Sequence, residues 1–145
     1  MEKSAKSVVT DFINLVRSGK APQRANEFMA KQITAHQAVS GSNQVIMRTP
    51  ENYTEHVHEF LECYGQFELE VQELLADGDK VYVRWLQKGT HMTEIMGFAA
   101  TKKPLNTLGS AVYRVEDGLI VEYWIQQENL GLLEQLEQNR EMTIV

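Results

Sequence analysis

The chain has 145 residues, a formal net charge of -6 and one cysteine, Cys63. That length suits a single domain burying roughly 68–70% of its unfolded surface, and residues 1–145 are read as one such domain. Lys and Arg are scattered, so the basic stripe that nucleic acid or an anionic membrane requires is excluded; the cysteine count excludes an intrachain disulfide framework; no segment reaches the ~20 apolar residues of a membrane span.

The polar start Met1-Glu2-Lys3-Ser4-Ala5-Lys6 leads into a helix on which Val8, Val9, Phe12, Ile13 and Val16 recur at helical spacing, with Gly19 as its C-cap. This start and the lone cysteine predict a cytoplasmic protein. Pro22 opens a short second helix carrying Phe28 and Met29. Ile33 to Met47, rich in Gly, Ser, Asn and Gln, is expected to be mostly loop. Thr49-Pro50 is an N-cap and first-turn pair, and Tyr53, Val57, Phe60, Leu61 and Tyr64 mark one face of a third helix that Gly65 ends.

At Phe67 the period changes to two: Phe67, Leu69 and Val71 alternate with Glu68, Glu70 and Gln72, as in a strand with one wet face. Asp77-Gly78 separates this strand from Val81 to Trp85, and Asp117-Gly118 separates Leu105–Val115 from Leu119–Gln127; both are hairpin signals. Gly89 to Pro104 connects the two hairpins. Leu130, Leu132, Leu133 and Leu136 form a short apolar helix face before a polar tail. Three helices followed by four strands is an α+β plan, whose curved sheet leaves a concavity where small molecules bind.

There is no phosphate-binding glycine loop, nucleophile elbow or paired-cysteine metal motif. His56 and His58, two apart on a helix, diverge and do not form the i, i+4 pair that grips zinc, so no metal site is expected. His36 and His91 are candidates for acid, base or hydrogen-bond donor to a carbonyl, since imidazole titrates near neutrality, with a structural role as the alternative to each. The two-residue period puts Trp124, Gln126 and Glu128 on one face of the last strand. On a concave, desolvated face Glu128 would be a general acid or base, whereas before the Leu130 helix it would equally serve as a cap.

The ordered motifs Val81-Tyr82-Val83-Arg84-Trp85, Gly89-Thr90-His91, Met96-Gly97, Thr101-Lys102-Lys103, Tyr113 to Gly118, Ile120 to Trp124 and Leu130-Gly131-Leu132-Leu133 resemble the SnoaL-like polyketide cyclases, over about Asp77 to Leu136. The resemblance implies a cone-shaped α+β barrel of the nuclear-transport-factor-2-like kind, with three N-terminal helices on a curved antiparallel sheet enclosing a pocket. It also implies a homodimer or homotetramer formed through the sheet. It implies ring closure by intramolecular aldol condensation with no metal or cofactor. The family's catalytic Asp, four residues after the strand tryptophan, corresponds to Glu128, and one extra methylene displaces the carboxylate by about an ångström. Met92-Thr93-Glu94 and Thr101-Lys102-Lys103 lack the glycines usual there.

The leading expectation is a cofactor-independent enzyme acting on a small hydrophobic carbonyl compound. Glu128 moves the proton and His91 donates to the oxyanion; Trp124, Trp85 and Met96 are apolar walls, His36 and Tyr64 are further substrate-binding residues, and Gln126 orients the substrate. The alternatives are a non-catalytic binding protein using the same pocket, and a hydrolase or hydroxylase-associated activity on the same cone.

Overall fold

Ser4 caps helix α1 (Ala5–Phe12) by accepting from the Ser7 amide at 3.1 Å, and α1 runs into a wider π turn over Ile13–Arg17 before Gly19, at φ 83°, ends it. The structure, a computed structural model, describes residues 4–39 and 42–143; Met1 to Lys3 of the polar N-terminal stretch lie outside them. Helix α2 (Pro50–Tyr64) has the expected punctuation, with Thr49 accepting from the Asn52 amide at 3.1 Å and Gly65 at φ 69° beyond its end.

Two stretches of the first half differ from expectation. Pro22 does open a helical segment, but it is a 3₁₀ turn over Pro22–Glu27, and Met29 already belongs to a strand. The expected loop from Ile33 to Met47 is instead most of a hairpin, β1 (Met29–Val39) and β2 (Ser42–Arg48), paired antiparallel with His36 opposite Val45. Ile33 and Ala35 face the core, but small and polar neighbours dilute that alternation. The partner that fixes β1 is distant in sequence: it pairs in parallel with β6 (Leu119–Gln127), Thr34 opposite Glu122. Tertiary pairing here overrides local composition.

The second half follows the sequence reading. Strands β3 (Glu68–Asp77), β4 (Lys80–Thr90), β5 (Pro104–Glu116) and β6 form an antiparallel meander, and the six-stranded sheet has the order β2-β1-β6-β5-β4-β3. The C-terminal helix α3 (Asn129–Thr143) is longer than the short apolar face expected, its polar portion remaining helical. Leu132 and Leu136, four apart, bury against Leu105 of β5.

Alternation assigns the faces. On β4, Val81, Val83, Trp85 and Gln87 are buried under the helices while Tyr82, Arg84, Leu86 and Lys88 point the other way. On β5, Leu105, Ala111, Tyr113 and Val115 share the covered side. A register shift between Arg114 and Val115 lets Ile120 and Tyr123 of β6 both turn inward although they are three apart. A second shift lies between Val71 and Glu73 of β3. Such bulges add twist and bend, giving a curved sheet that does not close. Above it, Phe12 packs on Tyr53 (ring centroids 5.3 Å) and Tyr113 (5.4 Å), and Tyr113 on Tyr123 (5.7 Å).

Helix α2 approaches β4 most closely at Gly89, where a Cβ would lie 2.8 Å from Tyr64 Cβ and 2.9 Å from the Tyr64 carbonyl oxygen. Backbone cannot give way as a flexible side chain can, so Gly89→Ala is expected to cost about 1–3 kcal/mol. Urea unfolding checks this; a midpoint equal to wild type would show that the helix and strand are not so tightly docked.

Candidate functional site

The two-residue period that turns Trp85 inward also turns Gln87 inward, and His91 follows where the β4–β5 pairing is prolonged by backbone bonds. The His91 amide donates to the Lys103 carbonyl and the Lys102 amide to the His91 carbonyl, each at 2.9 Å. Gln87 is 2% exposed and His91 fully buried, and neither Gln87 Oε1 nor His91 Nε2 has a hydrogen-bond partner. The other imidazole nitrogen, Nδ1, lies 3.3 Å from Thr101 Oγ1. A buried polar atom left unpaired costs about 1–3 kcal/mol, which sets these two apart from most buried polar atoms.

A third such group comes from the π turn. Arg17 is 1% exposed, its guanidinium carbon 4.3 Å from the Phe60 ring centre, 5.2 Å from Trp85 and 5.8 Å from Phe67. Its Nε and Nη1 have no hydrogen-bond partner, and among the described residues it forms no ion pair. Sequence reasoning missed both Gln87 and Arg17, although each had a signal: Gln87 stands two residues after Trp85, and Arg17 four after Ile13, on the apolar stripe of the first helix.

The remaining sequence candidates divide between three places. Trp85 is buried beside Gln87, with Gly109 against its indole, and half-buried Tyr64 packs at the end of α2 near Leu105. Met96 is exposed in a tight turn of the 91–103 connection, at φ 51°. His36, Trp124 and Gln126 lie on the opposite, uncovered face of the sheet, as their pairing with Val45, Val112 and Ser110 requires.

There the His36 and Trp124 rings stack at 4.9 Å, and His36 Nε2 lies 2.7 Å from Glu122 Oε2. Arg114 Nε donates to Glu122 Oε1 at 2.9 Å. The His36 contact, then Arg114, hold the Glu122 carboxyl below the usual carboxylate range.

Glu128 and Gln126 do come together, but in an outer recess of about 310 Å³ that Tyr82, Arg84 and Ser110 also line. This also settles the direction of Arg84, which the sequence leaves open. Glu128 is exposed, and its Oε1 accepts from the Gly131 amide at 2.8 Å, capping α3. The structure therefore brings Trp85 toward Gln87 and Arg17 on the covered face, and Gln126 toward Glu128 on the other.

The profile of the SnoaL-like polyketide cyclases matches residues 7–136. The chain belongs to the SnoaL-like polyketide cyclase family. The likeness thus covers the helical half as well as the strands. A candidate polyketide cyclase from Acidithiobacillus ferrooxidans superposes with TM-score 0.80 at 26% identity, covering 96% of this chain and 98% of that one. IdmH, a candidate polyketide cyclase from Streptomyces antibioticus, gives TM-score 0.77 at 24% identity over 93% and 99% of the two chains. AclR, a candidate hydroxylase from Streptomyces galilaeus, gives 0.74 at 19% over 92% and 96%. The last two show the fold alone. A comparison with curated proteins found no match. Among the described residues no helix is long and apolar enough to cross a membrane.

Within this SnoaL-like frame, burial pushes the hydroxyls of Tyr53, Tyr113 and Tyr123 up from their ordinary value. Burial, then the charges of Arg48 and Arg17, push His56 down from 6.5 to about 4. The unfolded chain binds a proton at this histidine below about pH 6.5 while the folded chain resists until about pH 4. The stability present above pH 6.5 is therefore lost as pH falls toward 4, by at most about 1.4 kcal/mol per pH unit from this group. His56→Gln should flatten the slope of unfolding free energy against pH in that window; an unchanged slope would show that His56 does not titrate as its surroundings dictate.

Proposed function

We propose that this member of the family is a cofactor-independent enzyme of the cyclase kind, closing a ring in a hydrophobic carbonyl compound held against the helix-covered face of the sheet. The observation that supports this reading is the pair of buried, unpartnered polar atoms on the covered face, Gln87 Oε1 two residues beyond buried Trp85 and His91 Nε2 just past the end of the same strand. A substrate hydroxyl would complete Gln87, and the acidic C–H next to a substrate carbonyl would meet His91.

In the reaction His91 Nε2 removes that proton, the enolate carbon forms a C–C bond to a second carbonyl of the same molecule, and the resulting alkoxide takes the proton back. Nothing is oxidised or reduced. Exclusion of water keeps the enolate from being protonated before it attacks. Trp85 and Tyr64 serve as walls, and the substrate enters at the end of the sheet where half-buried Tyr64, Ile95 and Phe98 pack on Leu105, Leu132 and Leu136. Met96 belongs to the connection flanking that entry. The general-base role moves in this proposal from Glu128, exposed and capping α3, to His91.

A second reading, a non-catalytic protein that sequesters the same class of compound, is favoured by that engagement of Glu128 as a cap. Turnover of aryl-substituted 1,5-diketones, followed as loss of carbonyl and gain of ring product, separates the readings. His91→Gln is expected to lower the rate by about 100-fold or more, since positioned acid–base groups contribute factors of that order. Glu128→Gln, which keeps an acceptor for the Gly131 amide, should retain most of it. The reverse pattern would return the chemistry to the carboxylate, and binding without any turnover in wild type would establish the sequestering role.

A further inference from the structure

Arginine stays charged in any protein environment, and a buried charge without partners is among the least favourable arrangements a fold can hold. Arg17 holds that arrangement. Its ring contacts lie over Phe60, Trp85 and Phe67, and such contacts engage the faces of a guanidinium, whereas its N–H donors project in the plane. Nε and Nη1, which carry most of those donors, are buried without a partner. Tyr53, Tyr64, Tyr113, Tyr123 and His56 feel its charge, and none of them is an anion in this environment.

We propose that Arg17 is a binding residue for a carboxylate carried by the substrate, seated among Phe60, Phe67 and Trp85. This rests on the reading that the covered face is the working site, and it narrows the substrate class from a hydrophobic carbonyl compound to one that also bears an acid group beside an aromatic or similarly flat apolar body. A carboxylate offers in-plane lone pairs to a planar donor and carries the single negative charge that one guanidinium neutralises. The three aromatic rings suit a flat apolar body next to that acid. The π turn that ends the first helix contributes Val16 and Arg17 together to the interior, and such turns recur at functional sites.

The test is calorimetric titration of the full chain with 2-naphthoate and with its methyl ester, which share a body and differ in charge. Wild type is expected to bind the acid at least tenfold more tightly than the ester. Arg17→Met, with an unbranched stem of similar length, should lose that preference by weakening the acid alone. Equal affinity for acid and ester in wild type overturns the proposal without any variant, as does an Arg17→Met protein that keeps the preference. Binding of the ester alone removes the role of Arg17 and leaves the covered-face site standing; binding of neither probe removes both.

Discussion

Strand β4 is paired with β5 along its whole length and with β3 from Lys80 to Lys88, so its two-residue alternation cannot slip without turning every side chain over. That constraint sends Val81, Val83, Trp85 and Gln87 beneath the helices and Tyr82, Arg84, Leu86 and Lys88 away from them. Most of the architecture depends on it. Trp85 is the floor on which Arg17 rests, Gly109 of β5 lies against its indole, and Gly89 admits the end of α2. The register that buries an amide at position 87 between Leu69 and Thr107 also brings His91 to the far end of the strand pair, closed to water.

The two faces of the sheet solve their electrostatics differently. On the uncovered face polar groups are matched: Glu122 meets both His36 and Arg114, Lys80 lies over the Trp124 ring, and Arg114 also reaches Glu116. On the covered face Arg48 Nη1 donates to Asn52, but Arg48 Nε, like atoms of Arg17, Gln87 and His91, keeps no partner. Folding alone would favour apolar atoms in place of these groups, because each unpaired group subtracts from a net stability of only about 5–15 kcal/mol. Their presence is explained if a ligand completes them.

Much of this was legible in the sequence, and the failures have physical causes. Asp77-Gly78 and Asp117-Gly118 marked both hairpins because a tight turn needs residues that tolerate positive φ, and Asp117, Gly78 and Gly118 adopt it. The β1–β2 hairpin stayed hidden because β1 is fixed by parallel pairing with β6, more than 80 residues away by number, and no local pattern reports a partner that distant. Period groups Trp124 with Gln126 on one face, but it does not say which side the helices cover. That choice decides whether Glu128 stands in a desolvated cleft or in an open recess beside Arg84. The enclosure of Arg17 is not legible from the sequence, because a charged residue at a helix end usually lies in water and only the packing of Phe60 and Phe67 from later elements encloses this one.

If the helix-covered face, and not the outer face of the sheet, receives the ligand, Trp85 and not Trp124 reports its binding. The chain's two tryptophans divide between those faces, Trp85 buried on one and Trp124 on the other, so single-tryptophan variants report them separately. Titrating methyl 2-naphthoate, a neutral ligand, into Trp124→Phe should change the emission of Trp85 saturably, while the same titration into Trp85→Phe should leave Trp124 unchanged. A saturable response from Trp124 with none from Trp85 would put the ligand on the outer face instead.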